Sequence, residues 1–213
     1  MKLFLFGGAE EGDAAKELKM IEWVIQSLAP KQLLHIPFAR PNGSSWAEWD
    51  GDRFHRNIDI PDMEYLNADH PEHISKAHNP LIFISGWSDP INLIDKIISN
   101  PALLKLIHNA YAIIGESAGV KVLGTHYIVK NTDNSYTALP SLWLVPQTVF
   151  EWHYTQRNKQ GALERAMKET QAIYGIGIDS CTAMIWEIDT FPEKYSKIGH
   201  GNIVIKQQSS MLS

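Results

Sequence analysis

The amino-acid sequence predicts a single α/β domain: a mostly parallel sheet with helices on both faces. Three observations lead there. Short apolar runs alternate with longer helical patterns along most of the chain, the signature of parallel strands joined by covering helices. One turn within that alternation, Gly115-Glu116-Ser117-Ala118-Gly119, follows the apolar run Tyr111-Ala112-Ile113-Ile114 and precedes Val120-Lys121-Val122-Leu123, which reads as strand, sharp turn and helix. The length of 213 residues, 44% of them hydrophobic, suits one well-buried core.

The predicted strands are Leu3 to Phe6, Gln32 to Ile36, Leu81 to Ile84, Tyr111 to Ile114, Tyr174 to Ile178, Ala183 to Ile188 and Ile203 to Lys206, each a short run of apolar residues. Between them, Asp13 to Leu28 places Leu18, Ile21, Trp23, Val24 and Leu28 near one helical face. Pro90 to Ile107 repeats the pattern with Leu93, Ile94, Ile97 and Ile98. The segment Pro41 to Asp62 has no period and is rich in Gly, Asn, Ser and Asp; it reads as a long loop in which Trp46 and Trp49 serve either a lid or packing. A catalytic domain over residues 1–206 is expected, followed by a polar tail at 207–213 that frays.

A formal charge of -5, without a cluster of Lys or Arg, argues against nucleic acid and anionic membranes as partners. Cys181 is the sole cysteine, so an internal disulfide and a cysteine-built zinc site are both excluded, and a reducing compartment follows. No stretch approaches the length of a spanning helix, and the expected location is the cytoplasm.

The glycine-flanked serine carries the chemistry. In a nucleophile elbow the serine is held in a strained turn that projects its hydroxyl above the sheet, and Gly115, Ala118 and Gly119 are small enough to let strand and helix cross closely. A serine hydroxyl needs a base, and His126, His153 and His200 follow it. His126 lies in or just beyond the elbow helix and suits a surface role. His153 sits in the mixed setting Val149-Phe150-Glu151-Trp152-His153-Tyr154, which suits a cleft, and His200 sits in a hairpin-like Gly199-His200-Gly201. The order Ser117, Asp179, His200 would satisfy an α/β-hydrolase-type esterase, an alternative kept open.

Four further segments accompany the elbow. They are Ile36-Pro37-Phe38-Ala39-Arg40, Phe83-Ile84-Ser85-Gly86-Trp87-Ser88-Asp89, Leu144-Val145-Pro146 with Glu151-Trp152-His153-Tyr154-Thr155-Gln156-Arg157, and Gly177-Ile178-Asp179-Ser180-Cys181-Thr182-Ala183. Together these resemble the "IPyA", "GGGN", "LxP…DQHFxxR" and "GIDExTA" motifs of the dipeptidase E and cyanophycinase family of serine peptidases, with Gly115 to Gly119 similar to its "GxSAG". The resemblance implies a fold like the class I glutamine amidotransferases, which is flavodoxin-like. It implies Ser117 as nucleophile, His153 as general base, and an oxyanion hole of the Ala118 N–H with that of Gly86 or Trp87. Arg157 would bind an acidic or carboxylate group of the substrate. Asp133 lies near the position of the family's orienting acid, and Asp179 is a further candidate for orientation or substrate binding.

The chain also departs from the family. Ser180 replaces the usual Glu of "GIDExTA", Trp87 brings bulk to the glycine turn, and Lys159 and Ala162 stand where cyanophycinase-like sequences have arginines. The function expected is a serine peptidase-like hydrolase that cleaves a peptide or isopeptide bond of a small peptide through an acyl-enzyme on Ser117. The alternative is an impaired relative that binds a small ligand in the same cleft. No cofactor is expected, since Gly7-Gly8-Ala9 lacks a full phosphate-binding fingerprint. No metal is expected either: His70, His73 and His78 lie in a polar, proline-containing stretch. A homodimer is left open.

Overall fold

Strand β1 (Lys2–Phe6) turns Leu3 and Leu5 to one side and Phe4 and Phe6 to the other, and all four are buried. A strand apolar on both faces belongs inside a sheet covered on both sides. The computed structural model describes residues 1–40, 54–55, 58, 60–130 and 136–208 and places β1 in the interior of a seven-stranded sheet. The other strands are β2 (Gln32–Ile36), β3 (Glu64–Asn67), β4 (Leu81–Ile84), β5 (Ala112–Glu116), β6 (His126–Lys130), β7 (Tyr136–Pro140), β8 (Thr148–Trp152), β9 (Tyr174–Ile178), β10 (Thr182–Glu187), β11 (Tyr195–Gly199) and β12 (Ile203–Gln207). The helices are α1 (Ala14–Leu28), α2 (Pro71–Lys76), α3 (Pro90–Ile98), α4 (Pro101–His108), α5 (Ala118–Lys121) and α6 (Gln160–Thr170).

The central sheet runs β11-β10-β1-β5-β4-β2-β3. β1 to β5 are mutually parallel, while β10 and β11 add an antiparallel edge. Helix α1 covers one face, packing Ile21, Val24 and Ile25 on Phe4, Phe6, Leu33 and Phe83. Helices α2, α3 and α4 cover the other through Ile74, Leu93, Ile97, Leu103 and Ile107 against Leu3, Leu5, Leu34 and Ile82. The architecture is the expected α/β domain. Because the inner strands are parallel, the loops after β1, β4 and β5 open at one edge, where ligands of such sheets bind.

All seven predicted strands are present, with ends shifted by a residue or two. The predicted helix over Pro90 to Ile107 is instead two. Asn100 precedes a proline, which disfavours helical backbone there, and its side chain caps α4 by accepting the Leu103 N–H at 3.1 Å. Five strands were not predicted: β3, β6, β7, β8 and β11. Of these, β8 joins β9 and β12 in a separate three-stranded sheet, with β8 and β9 parallel, and β6 pairs with β7 as a hairpin. His126 opens β6 rather than ending the elbow helix, which is only four residues long.

Most of the predicted loop at Pro41 to Asp62, with Trp46 and Trp49, lies outside the described residues, as does Asp133. At the C-terminus, Gln207 closes β12 and the Gln208 side-chain amide donates to the carbonyls of Met167 and Ala172. Among the described residues no helix is long and apolar enough to cross a membrane.

Candidate active site

Ser117 joins the end of β5 to α5 with φ 52° and ψ −113°, a backbone region that side chains rarely adopt. Such a conformation costs on the order of 1–3 kcal/mol and persists only when its surroundings hold it. Two contacts do so here. The Ser117 N–H donates to the Phe6 carbonyl at 3.0 Å, and Gly119 packs so tightly on β4 that a Cβ there would sit 2.0 Å from the Ile84 carbonyl oxygen. The glycine is therefore required by the close crossing, as the motif implied.

His153 follows directly on β8, also at positive φ, and its N–H donates to the Gly7 carbonyl at 3.1 Å. The next carbonyl, of Gly8, accepts the Cys181 N–H at 2.9 Å. Three successive carbonyls at the end of β1 thus fasten the serine turn, the histidine turn and the turn after β9. A Cβ on Gly8 would lie 2.8 Å from the His153 Nε2 and 3.0 Å from the Ser117 Cβ, so the two side chains meet over this glycine. Burial and the facing Arg157 cation pull the His153 imidazole down to about 4, leaving it neutral at neutral pH, with one ring nitrogen carrying an unprotonated lone pair.

The other ring nitrogen, Nδ1, lies 2.7 Å from the Ser180 Oγ and 2.9 Å from a carboxylate oxygen of Glu10, in the loop after β1. Arg157 donates from Nε to that same Glu10 oxygen at 2.9 Å and from a terminal nitrogen to its partner oxygen at 3.4 Å. Its hydrogen bonds, above all, hold the Glu10 carboxyl below the usual range.

Other candidates fall elsewhere. Asp179 accepts from the backbone N–H groups of Thr155 and Asn202 and from the Asn202 side chain, tying turns together rather than facing His153. His200 is exposed in the turn between β11 and β12, so the order Ser117, Asp179, His200 is not assembled. The Gly86 N–H donates to the Glu116 carboxylate at 2.6 Å and is thereby occupied. Ala118 begins α5, so its N–H has no intrahelical acceptor. Trp87 stands exposed on the cavity wall. Cys181 is buried, its thiol pushed up by that burial. Among the described residues no group of three or more His, Cys, Asp or Glu gathers as metal ligands.

A model of peptidase family S51 matches residues 3–192. The chain belongs to that family. It is a serine-type peptidase, a hydrolase. Among curated proteins the cyanophycinase of Geminocystis herdmanii (strain PCC 6308) is 24% identical over 231 residues, covering 98% of this chain and 81% of the other. That of Trichormus variabilis (strain ATCC 29413 / PCC 7937) is 26% identical over 135 residues, 58% of this chain and 44% of the relative. Among solved structures, a peptidase from an acI-B1 Actinobacterium superposes with a TM-score of 0.65 at 23% identity, over 99% of this chain and 94% of that one. A putative peptidase E protein from Listeria monocytogenes EGD-e gives 0.56 at 16% identity, over 98% of each. Both share the fold.

Against this S51 frame, the cavity shows what sequence reasoning missed. A volume of about 940 Å³ opens around Ser117 and His153. On one side Lys121 is buried and its ammonium lies 3.3 Å from the Glu151 carboxylate and 4.3 Å from the Trp152 ring centre; Lys159 stands 3.8 Å from the other Glu151 oxygen. On the other side Glu17 and Glu116 approach each other, and burial raises both carboxyls, Glu17 well above the usual range. Glu10 carried no signal of its own, since its contact with His153 depends on how the ends of the two sheets meet. Lys121 and Glu151 carried none, since a charge in an apolar run names no partner.

Proposed function

We propose that this S51 peptidase cleaves the peptide or isopeptide bond of a small peptide through an acyl-enzyme on Ser117, with His153 as general base and then general acid. The observation that carries the reading is the meeting of Ser117 and the His153 Nε2 over Gly8. His153 takes the hydroxyl proton as Ser117 attacks the carbonyl, and returns it to the leaving amine. The Ala118 N–H, at the start of α5, supports the developing oxyanion; Trp87 is proposed to supply the second donor, since the Gly86 N–H serves Glu116.

The substrate side chain is proposed to lie toward Lys121, Lys159 and Trp152, where two ammonium groups face the single carboxylate of Glu151 and leave room for one more anion. That replaces Arg157, two of whose donors are engaged by Glu10, as the expected carboxylate partner. A lone buried thiol at Cys181 agrees with a cytoplasmic setting.

Intact-mass analysis after a fluorophosphonate probe tests this. The parent is expected to gain one adduct, Ser117→Ala none, and His153→Ala an adduct at a rate lower by roughly 100-fold or more. Absence of an adduct on folded parent protein would leave the cleft as a ligand-binding site only. Dipeptides with acidic, neutral and basic side chains, compared with Lys159→Ala, then report on the substrate.

A further inference from the structure

We infer that Glu10 is the acid that orients His153, reaching it from the loop after β1 beside Ser180, which stands where the resembled motif has Glu. The inference rests on the reading of Ser117 and His153 above. Four observations support it. The Glu10 Oε1 lies 2.9 Å from the His153 Nδ1, within hydrogen-bond distance of the face opposite Ser117. The Ser180 Oγ, 2.7 Å from that Nδ1, donates toward Glu10 at 3.4 Å, so it touches both the ring and the carboxylate. Arg157 grips both Glu10 oxygens from the turn after β8, and Ser180 is itself held through its N–H by the Gln156 side chain at 3.0 Å. Glu10 stays ionised, because its Arg157 hydrogen bonds favour the charged form.

The consequence is a fixed tautomer. A carboxylate at Nδ1 keeps the proton there and leaves the Nε2 lone pair free to take the Ser117 proton; the imidazolium formed on that transfer is stabilised by the same charge. Glu10 acts only through His153 and is a positioning residue. Arg157 positions Glu10 in turn, which gives it a role other than the substrate contact that the motif implied. The charges facing His153 are Glu10 from the loop after β1 and Arg157 and Lys159 from the segment before α6.

The test compares the parent with Glu10→Gln and with the double variant Glu10→Gln/Ser180→Glu, which places a carboxylate on the neighbouring side chain that also reaches the His153 Nδ1. Two readouts are taken: nitrogen-15 chemical shifts of the His153 ring, which report the tautomer without any turnover, and the rate of fluorophosphonate labelling. In the parent the proton is expected at Nδ1. Glu10→Gln is expected to lose that preference and to label roughly 100-fold or more slowly, and the double variant to recover the tautomer and most of the rate. Retention of the Nδ1 proton or of labelling within about 3-fold in Glu10→Gln would overturn the assignment, as would a loss that the double variant leaves in place. A parent that is never labelled would defeat the nucleophile reading instead, and the ring shifts would still decide the role of Glu10.

Discussion

Ser117 and Glu17 each carry a local cost at this site. Ser117 holds φ 52° with ψ −113°, where glycine is at ease and any Cβ is strained. Removing the hydroxyl alone keeps the strain, whereas removing the Cβ releases it. Ser117→Gly is therefore expected to be more stable than Ser117→Ala by about 1 kcal/mol in a denaturant titration, although glycine ordinarily loses such comparisons. Equal or reversed stabilities would mean that the turn is relaxed. Glu17, on α1, is buried with one carboxylate oxygen that lacks any hydrogen bond, and burial followed by the nearby Glu116 pushes its carboxyl well up. A raised folded-state value means that the folded protein keeps the proton while the unfolded chain releases it above about 4.5, so this group costs stability as pH rises beyond that point. Glu17→Gln keeps the shape without the ionisation. Its stability gain over the parent is expected to be larger at pH 8 than at pH 5, and a gain independent of pH would count against a protonated Glu17.

At the scale of elements, the small sheet of β8, β9 and β12 is tied to the serine elbow by a buried ion pair between Lys121 on α5 and Glu151 on β8. Burial pulls the ammonium below the usual lysine range while Glu151 opposes the shift. Breaking such a pair strands a charge, and Lys121→Met is expected to cost about 3 kcal/mol, since Lys159 remains near Glu151. The double variant Lys121→Met/Glu151→Leu should recover most of it, and failure to recover would show that the lysine is held for packing alone. The same pair explains why β8 was hidden in the sequence. A strand that reads Thr148-Val149-Phe150-Glu151-Trp152 breaks alternation with a glutamate whose partner lies on another element. Strand β11 was hidden for a different reason: as an exposed edge carrying Tyr195, Ser196 and Lys197 it has no apolar pattern to show. The buried parallel strands were legible because both faces must be apolar; Ser117 stood out as a candidate through the small residues that its tight turn demands, and His153 through the mixed segment and motif around it. Glu10 was not legible, because the contact between positions 10 and 153 depends on how one sheet's end meets the other's.

Across the whole molecule, the site is the seam where these two sheets meet at the end of β1, and the seam confers a definite dependence of stability on pH. His153 is held near 4 by burial first, so the unfolded chain, with an ordinary value near 6.5, takes up its proton earlier as the pH falls. Stability from the neutral buried ring is present above about 6.5 and drains away between there and about 4. Glu10 and Asp179, both lowered, add losses of the same sign further down, as their carboxylates are protonated below the ordinary acidic range. Losses on the acid side thus fall on residues that join β1 to the turns after β8 and β9. His153 alone contributes a slope that approaches roughly 1.4 kcal/mol per pH unit through this window, while the raised Glu17 carboxyl acts there with the opposite sign. Denaturant titrations from pH 7 to pH 4.5 should show stability falling more steeply with acid in the parent than in His153→Gln, which lacks that ring, by up to that slope. Parallel lines for the two proteins would mean that His153 is protonated with little penalty in the folded protein, and would remove the basis for treating it as a neutral base poised beside Ser117.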